Sequence, residues 1–286
     1  MKFTTGLFFT LISAFVLLGC TSVSTPTTPT HSEIPTPSPT FTQATPTYTP
    51  TPPEISTLTP LATLNSEQAK EAISILLRGT GDCDFPCFWG LIPGQTALGE
   101  AQNIFNHLRL QINNTTYEGK DFYGINNDFD SGLSISVILT IQNEIIENIR
   151  VKVLPEKQRV GVPREWLAYS PEILITRYGE PSRVVFALDW GPRPYFEMDM
   201  YFDKVDLIVQ YMGHNIISKQ KGPSQVCPLA SQFESVRLWM GEDPVYPPAE
   251  AVTLLDATEM TIEEFSNLMT GSPNKACFIV KGEAFP

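Results

Sequence analysis

The two runs on either side of Gln142-Asn143 constrain this chain most. Leu133, Ile135, Val137, Leu139 and Ile141 alternate with Ser134, Ser136, Ile138 and Thr140. After the Gln142-Asn143 turn, Ile145, Glu147, Ile149, Val151 and Val153 alternate with Ile146, Asn148, Arg150 and Lys152. A period of two over this length is a half-buried strand, and two such runs around a tight turn are an antiparallel hairpin. One face of such a hairpin must be covered, so the remaining elements are read for what could cover it.

Helical periods supply the cover. Ser66 to Leu77 sets Ala69, Ile73, Leu76 and Leu77 on one face, with Ser66 as a candidate N-cap. Pro93-Gly94 turns the chain. Thr96 can cap a helix with core positions Leu98, Ala101, Ile104, Phe105 and Leu108, although Glu100 falls one residue late for a capping box. Ser170-Pro171 opens a short helix closed by Gly179. Three strand-like runs follow, Arg183 to Leu188, Tyr195 to Phe202 and Val205 to Met212. A helix followed by a meander, twice, predicts an α+β unit of two diverged halves, about 83–155 and 165–213, sharing one sheet. The tail, 214–286, reads as an extension with a strand-like Val236-Arg237-Leu238-Trp239 and a boxed helix from Thr261.

Before residue 65 the chain is of another kind. Met1-Lys2 precedes an apolar run from Leu7 to Leu18, too short to span a bilayer as a helix. The run ends in Leu17-Leu18-Gly19-Cys20, which resembles the bacterial lipobox. The resemblance implies a signal peptide over 1–19, acyl chains on Cys20 and anchorage to a membrane. Residues 21 to 60 hold ten prolines among many Thr and Ser. Such a segment has no apolar surface with which to offset its ordering entropy, so 20–64 is expected to be an extended stalk. The expected address is extracytoplasmic, on a cell membrane or outer membrane.

The Pro93-Gly94-Gln95-Thr96 turn, its helix and the meander after it resemble the SmpA/OmlA (BamE-like) outer-membrane assembly lipoproteins. The tandem modules of β-lactamase inhibitor protein share this order. The Cys83–Gly90 element and Arg177-Tyr178-Gly179-Glu180-Pro181 are also similar to uncharacterised bacterial lipoproteins with Thr/Pro stalks. The resemblance implies location and a curved sheet shared by two modules, and assigns no activity.

With Cys20 acylated, four cysteines remain. An even number in an exported domain reads as two disulfides, with Cys83–Cys87 and Cys227–Cys277 favoured. Zinc is the sharper alternative, but none of the three histidines lies near a cysteine in sequence. Asn126, Asp128, Asp130 and Gly132 loosely follow a calcium loop. The glycine is one place late and Val137 stands where the bidentate Glu belongs, so a turn between strands is the better reading. No cofactor or metal is expected.

No nucleophile elbow, zincin or P-loop pattern occurs, and nothing selects one Ser, His and Asp for a hydrolase. A net charge of -12 speaks against nucleic acid. Trp190, Arg193 and Tyr195, in a proline-bearing loop, are the candidate contact surface, because Trp, Tyr and Arg dominate binding hot spots. The expected role is non-catalytic binding or scaffolding at the envelope, with an envelope protein or cell-wall glycan as partner. Inhibition of a secreted hydrolase is the alternative, and an envelope hydrolase a distant third.

Overall fold

The hairpin forms as its alternation requires. A computed structural model describes residues 59–79, 83–117, 119–129, 133–155, 164–214, 216–217, 222–229, 233–241, 251–271 and 276–285. Strands β3 (Leu133–Gln142) and β4 (Ile145–Pro155) pair antiparallel, and Asn143 and Glu144 take positive φ values of 52° and 64° in the turn. The register shifts between Thr140 and Ile141. That bulge reverses the start of β4, so Ile146 is buried and Ile145 is only half-buried, the opposite of strict alternation from the turn.

Five further strands precede and follow in two meanders. β1 (Ile112–Tyr117) and β2 (Lys120–Phe129) lead into β3 and β4. β5 (Arg183–Asp189), β6 (Tyr195–Phe202) and β7 (Leu207–Gly213) form the second meander. The two halves share one sheet but do not touch each other within it. β10 (Phe233–Gly241) lies between them, antiparallel to both β4 and β7. Residues expected to form part of a tail extension are thus the central strand of a nine-stranded antiparallel sheet. Its order is β1-β2-β3-β4-β10-β7-β6-β5-β11, with β11 at Val252–Thr253. A small second sheet holds β8 (Ile216–Ile217), β9 (Ser224–Val226) and β12 (Phe278–Val280).

One face of the large sheet carries the core. Val137, Val151, Leu238, Val209 and Met200 stand opposite one another across successive strands, all buried. Helices α1 (Ser66–Leu77), α2 (Leu98–His107), α3 (Pro171–Tyr178), α4 (Leu254–Thr258) and α5 (Ile262–Gly271) contribute their apolar stripes to the same cluster. The Cys83–Leu91 stretch adds Phe85, Phe88, Trp89 and Leu91, all buried. Phe85 meets Tyr169 and Tyr178, and Phe88 stacks on Trp89 at 4.8 Å between ring centres. The Tyr211 hydroxyl donates to the Tyr169 carbonyl at 2.7 Å, and burial raises its pKa well above the usual phenol value.

Two caps differ from the sequence reading. Asn65, not Ser66, caps α1, and its box partner is Gln68. Thr96 is buried, and its Oγ accepts from the Ile92 amide at 2.8 Å, holding the preceding turn. The N-cap of α2 is Ala97, whose amide donates to Glu100 Oε2 at 3.0 Å. Glu100 is late for Thr96 because the helix starts one residue later. The box at Thr261 forms with Glu264.

The disulfides join Cys83 to Cys87 and Cys227 to Cys277. Cys227 follows β9 and Cys277 precedes β12, and these strands pair Val226 with Phe278, so the two cysteines face each other at the ends of neighbouring strands. Disulfides persist in oxidising compartments, which fits an extracytoplasmic location. No helix among the described residues is long and apolar enough to cross a membrane.

Candidate functional site: the outward face of the sheet

Alternation along each strand leaves a second set of side chains pointing away from the core. Two rows of cross-strand partners run over the middle of this outward face. One is Ser136, Lys152, Arg237, Gln210, Asp199 and Val185. The other is Ile138, Arg150, Trp239 and Ile208, leading to Tyr201 and Arg183. Ile138, Ile208 and Trp239 are half-buried and belong neither to the core cluster nor to the apolar fringe packed against it. Towards β6 this face is covered, with Asp199, Gln210 and Tyr201 each no more than 3% exposed, whereas Arg150, Lys152, Arg237 and Trp239 are half-buried. An antiparallel sheet with one solvated face ordinarily shows polar side chains there. This one shows a tryptophan and two isoleucines among four cations, Arg150, Lys152, Arg183 and Arg237.

The polar row is linked. Arg237 donates from Nη1 to Gln210 Oε1 at 2.9 Å, and Gln210 donates from Nε2 to Glu197 Oε2 at 3.4 Å. Asp199 and Gln210 are each only 3% exposed. Asp199 Oδ1 is shielded from water without a hydrogen-bond donor. Burial, opposed by the Gln210 amide and the Arg237 charge and aided by Glu197, raises its carboxyl to about 6. The Arg183 guanidinium lies 3.8 Å over the Tyr201 ring.

The Asp199 arrangement has a measurable sign. Its folded pKa, about 6, exceeds the unfolded value, so between about pH 4 and 6 the folded chain binds the extra proton. Stability is therefore lost as pH rises through that window. Asp199→Asn is expected to raise stability at pH 7 by up to about 3 kcal/mol and to flatten this part of the profile. Urea unfolding at pH 4, 5, 6 and 7 measures both. An Asn variant no more stable than the parent at pH 7 sinks the claim that the carboxylate is strained.

The Trp190–Tyr195 loop joins β5 to β6 at one end of the sheet. Arg193 is exposed, while Trp190 and Tyr195 are half-buried. The Trp190 indole nitrogen is shielded and has no acceptor. The Tyr195 ring meets the His214 ring edge-on at 6.1 Å, and burial and the nearby acids Glu197 and Asp189 raise its pKa. His214 lies 2.7 Å through Nδ1 from the Pro194 carbonyl and 2.9 Å through Nε2 from Glu234. By register Tyr195 shares the outward face with Glu197 and Asp199. The loop thus borders the sheet face, whose central residues sequence reading had not singled out. Their trace in the sequence is the polar half of each alternation, where Arg150, Lys152, Arg237 and Trp239 occupy the positions opposite the core.

Cys20, Asp130 and Gly132 lie outside the described residues. No group of three or more His, Cys, Asp or Glu among the described residues is arranged to hold a metal ion. Compared with known proteins, the chain matches no family model, no curated protein and no solved structure.

Proposed function

We propose that this chain is a lipid-anchored, extracytoplasmic binding module without catalytic activity, held off a membrane by its Thr/Pro stalk. The single observation that carries the binding role is the row Ile138, Arg150, Trp239 and Ile208 across four successive strands on the outward face, outside the core. Half-buried tryptophan ringed by arginine is the composition of a binding hot spot. The nine-stranded sheet offers a platform wide enough for an envelope component. Envelope retention on the immobilised full chain is the direct test. Trp239→Ala is expected to reduce it at least tenfold while leaving the urea midpoint nearly unchanged. Retention that Trp239→Ala leaves intact rules this face out.

The anchor rests on Leu17-Leu18-Gly19-Cys20 and the proline-rich segment after it. Two or three acyl chains give stable attachment, whereas none leaves only the folded unit's own affinity. Cys20→Ala is expected to move the protein from the membrane fraction to the soluble one. A variant that still sediments with membranes refutes acyl anchorage at Cys20.

A further inference from the structure

Lys152 and Arg237 are direct partners across β4 and β10, and Arg150 stands one pleat along from Lys152 on the same face. Like charges placed opposite each other weaken a sheet. The ion pairs between described residues are Lys120–Glu147, Arg177–Asp84, His214–Glu234 and Lys281–Glu259, so none of the three takes part in one. The Nε atoms of Arg150 and Arg237 are shielded from water and have no acceptor. Burial, and then the charge of Arg237, lower the pKa of the Lys152 ammonium. On the same face, Glu197 and Asp199 stand two strands from β10 on β6, Asp128 stands by register two strands from β4 on β2, and Glu234 is engaged by His214. In a chain of net charge -12, three cations thus share a two-strand strip with no direct ion pair among the described residues, Arg237 alone feeling a buried acid, Asp199, at a distance.

Resting on the binding role argued above, we infer that this strip takes a phosphate-bearing polymer, a chain of sugars or polyols joined by phosphodiesters. Residues two apart on a strand are separated by about 7 Å, and neighbouring strands by about 4.8 Å. The three cations therefore lie at the spacing of successive anionic groups along an extended chain. A single anionic group would leave two positive charges unpaired, whereas successive anionic groups along one chain neutralise all three. Guanidinium groups bind phosphate oxygens through two parallel donors, and Lys152 adds a point charge. Trp239, directly opposite Arg150, gives the carbon skeleton an apolar plate. Ser136, opposite Lys152, adds a hydroxyl. The net negative charge of the rest of the molecule repels polyanions, so binding is confined to this strip.

Calorimetric titration of the full chain with polyphosphate and, separately, with polygalacturonate tests the inference. Polyphosphate is expected to bind, more weakly as sodium chloride rises, and polygalacturonate to bind at least tenfold less tightly. The variant Lys152→Gln/Arg237→Gln is expected to lose at least tenfold in polyphosphate affinity. It is also expected to keep or raise its unfolding midpoint, because the repelling pair is gone, so lost binding is not lost fold. The inference is overturned by absent polyphosphate binding, by equal binding of the carboxylate polymer, or by binding that the double variant leaves unchanged. In those events the Trp239→Ala retention assay separates the two levels. Retention that depends on Trp239 keeps the binding face and rejects the phosphate ligand, including the case in which the captured component is an acidic protein. Retention indifferent to Trp239 rejects both.

Discussion

Gly241→Ala is expected to destabilise the fold by about 4 kcal/mol, enough to unfold a marginal domain near physiological temperature. Gly241 ends β10 with φ at +94°, opposite Asn148 of β4. A Cβ there would stand 2.5 Å from the Glu147 carbonyl oxygen, 2.7 Å from Pro93 Cβ and 3.2 Å from Asn148 Cα. Two of these three atoms are backbone, so no rotamer change relieves the overlap. The third belongs to the Pro93–Gly94 turn, which is pinned by the Gly94 amide donating to the Ile146 carbonyl at 2.7 Å. A forced left-handed residue costs about 1–3 kcal/mol, and overpacking a filled site about 1–3 more. Gly124 in β2 is the internal control. Its added Cβ would meet Val137 O at 3.8 Å, an ordinary contact, and its φ is not left-handed. Gly124→Ala is expected to be neutral or mildly stabilising. Equal midpoints for Gly241→Ala and the parent in urea would show that β10 does not close against β4 as described.

The position of β10 is also where sequence and structure part. The hairpin of β3 and β4, the helix opened by Ser170-Pro171 and the capping box at Thr261 are legible because each is specified by residues within a few positions of one another. Period, turn chemistry and cap act locally. Nothing local tells Val236–Trp239 that it belongs between β4 and β7, more than twenty residues from its nearer partner in sequence and more than eighty from the other. Two cues were present in retrospect. A central strand has buried edges on both sides, and β10 lacks proline and carries Val236, Leu238 and Met240 in strict alternation. The expected cap of α2 failed for a different reason, since Thr96 was more useful to the turn before it than to the helix after it.

The candidate site was harder to read for the same reason. Arg150, Lys152, Arg237 and Trp239 look in sequence like the solvated half of two ordinary strands. They become a site only once β10 is placed beside β4, which sets Lys152 against Arg237 and Arg150 against Trp239. The Trp190–Tyr195 loop was visible because its aromatics and prolines are contiguous. A surface assembled from two strands that are distant in sequence leaves no contiguous trace. The strand that completes the large sheet is thus also the strand that brings the candidate face together.

Removing the Cys227–Cys277 bridge by Cys227→Ala/Cys277→Ala is expected to lower stability by about 4 kcal/mol. The cross-link spans 50 residues, and restoring their freedom to the unfolded chain costs about that much in the chain-entropy model. The closed loop contains β10 and the linkers on both sides of it, so the cross-link ties the central strand's flanks to the small sheet. On the folded side, Cys227 and its surroundings are buried. Phe278 packs edge-on against Phe186 of β5 at 5.5 Å and against Phe265 of α5 at 6.1 Å between ring centres. Those contacts remain in the variant, so it should still fold, with a midpoint lower by roughly 8–16 °C for a unit of this size. Cys83→Ala/Cys87→Ala is the matched comparison. Its bridge spans 4 residues and is worth about 2 kcal/mol in the same model. The ratio of the two losses is more informative than either alone. If loop entropy governs, the long bridge costs about twice the short one. If the short bridge proves the larger, the Cys83–Leu91 plug owes its place in the core to local geometry set by that bridge.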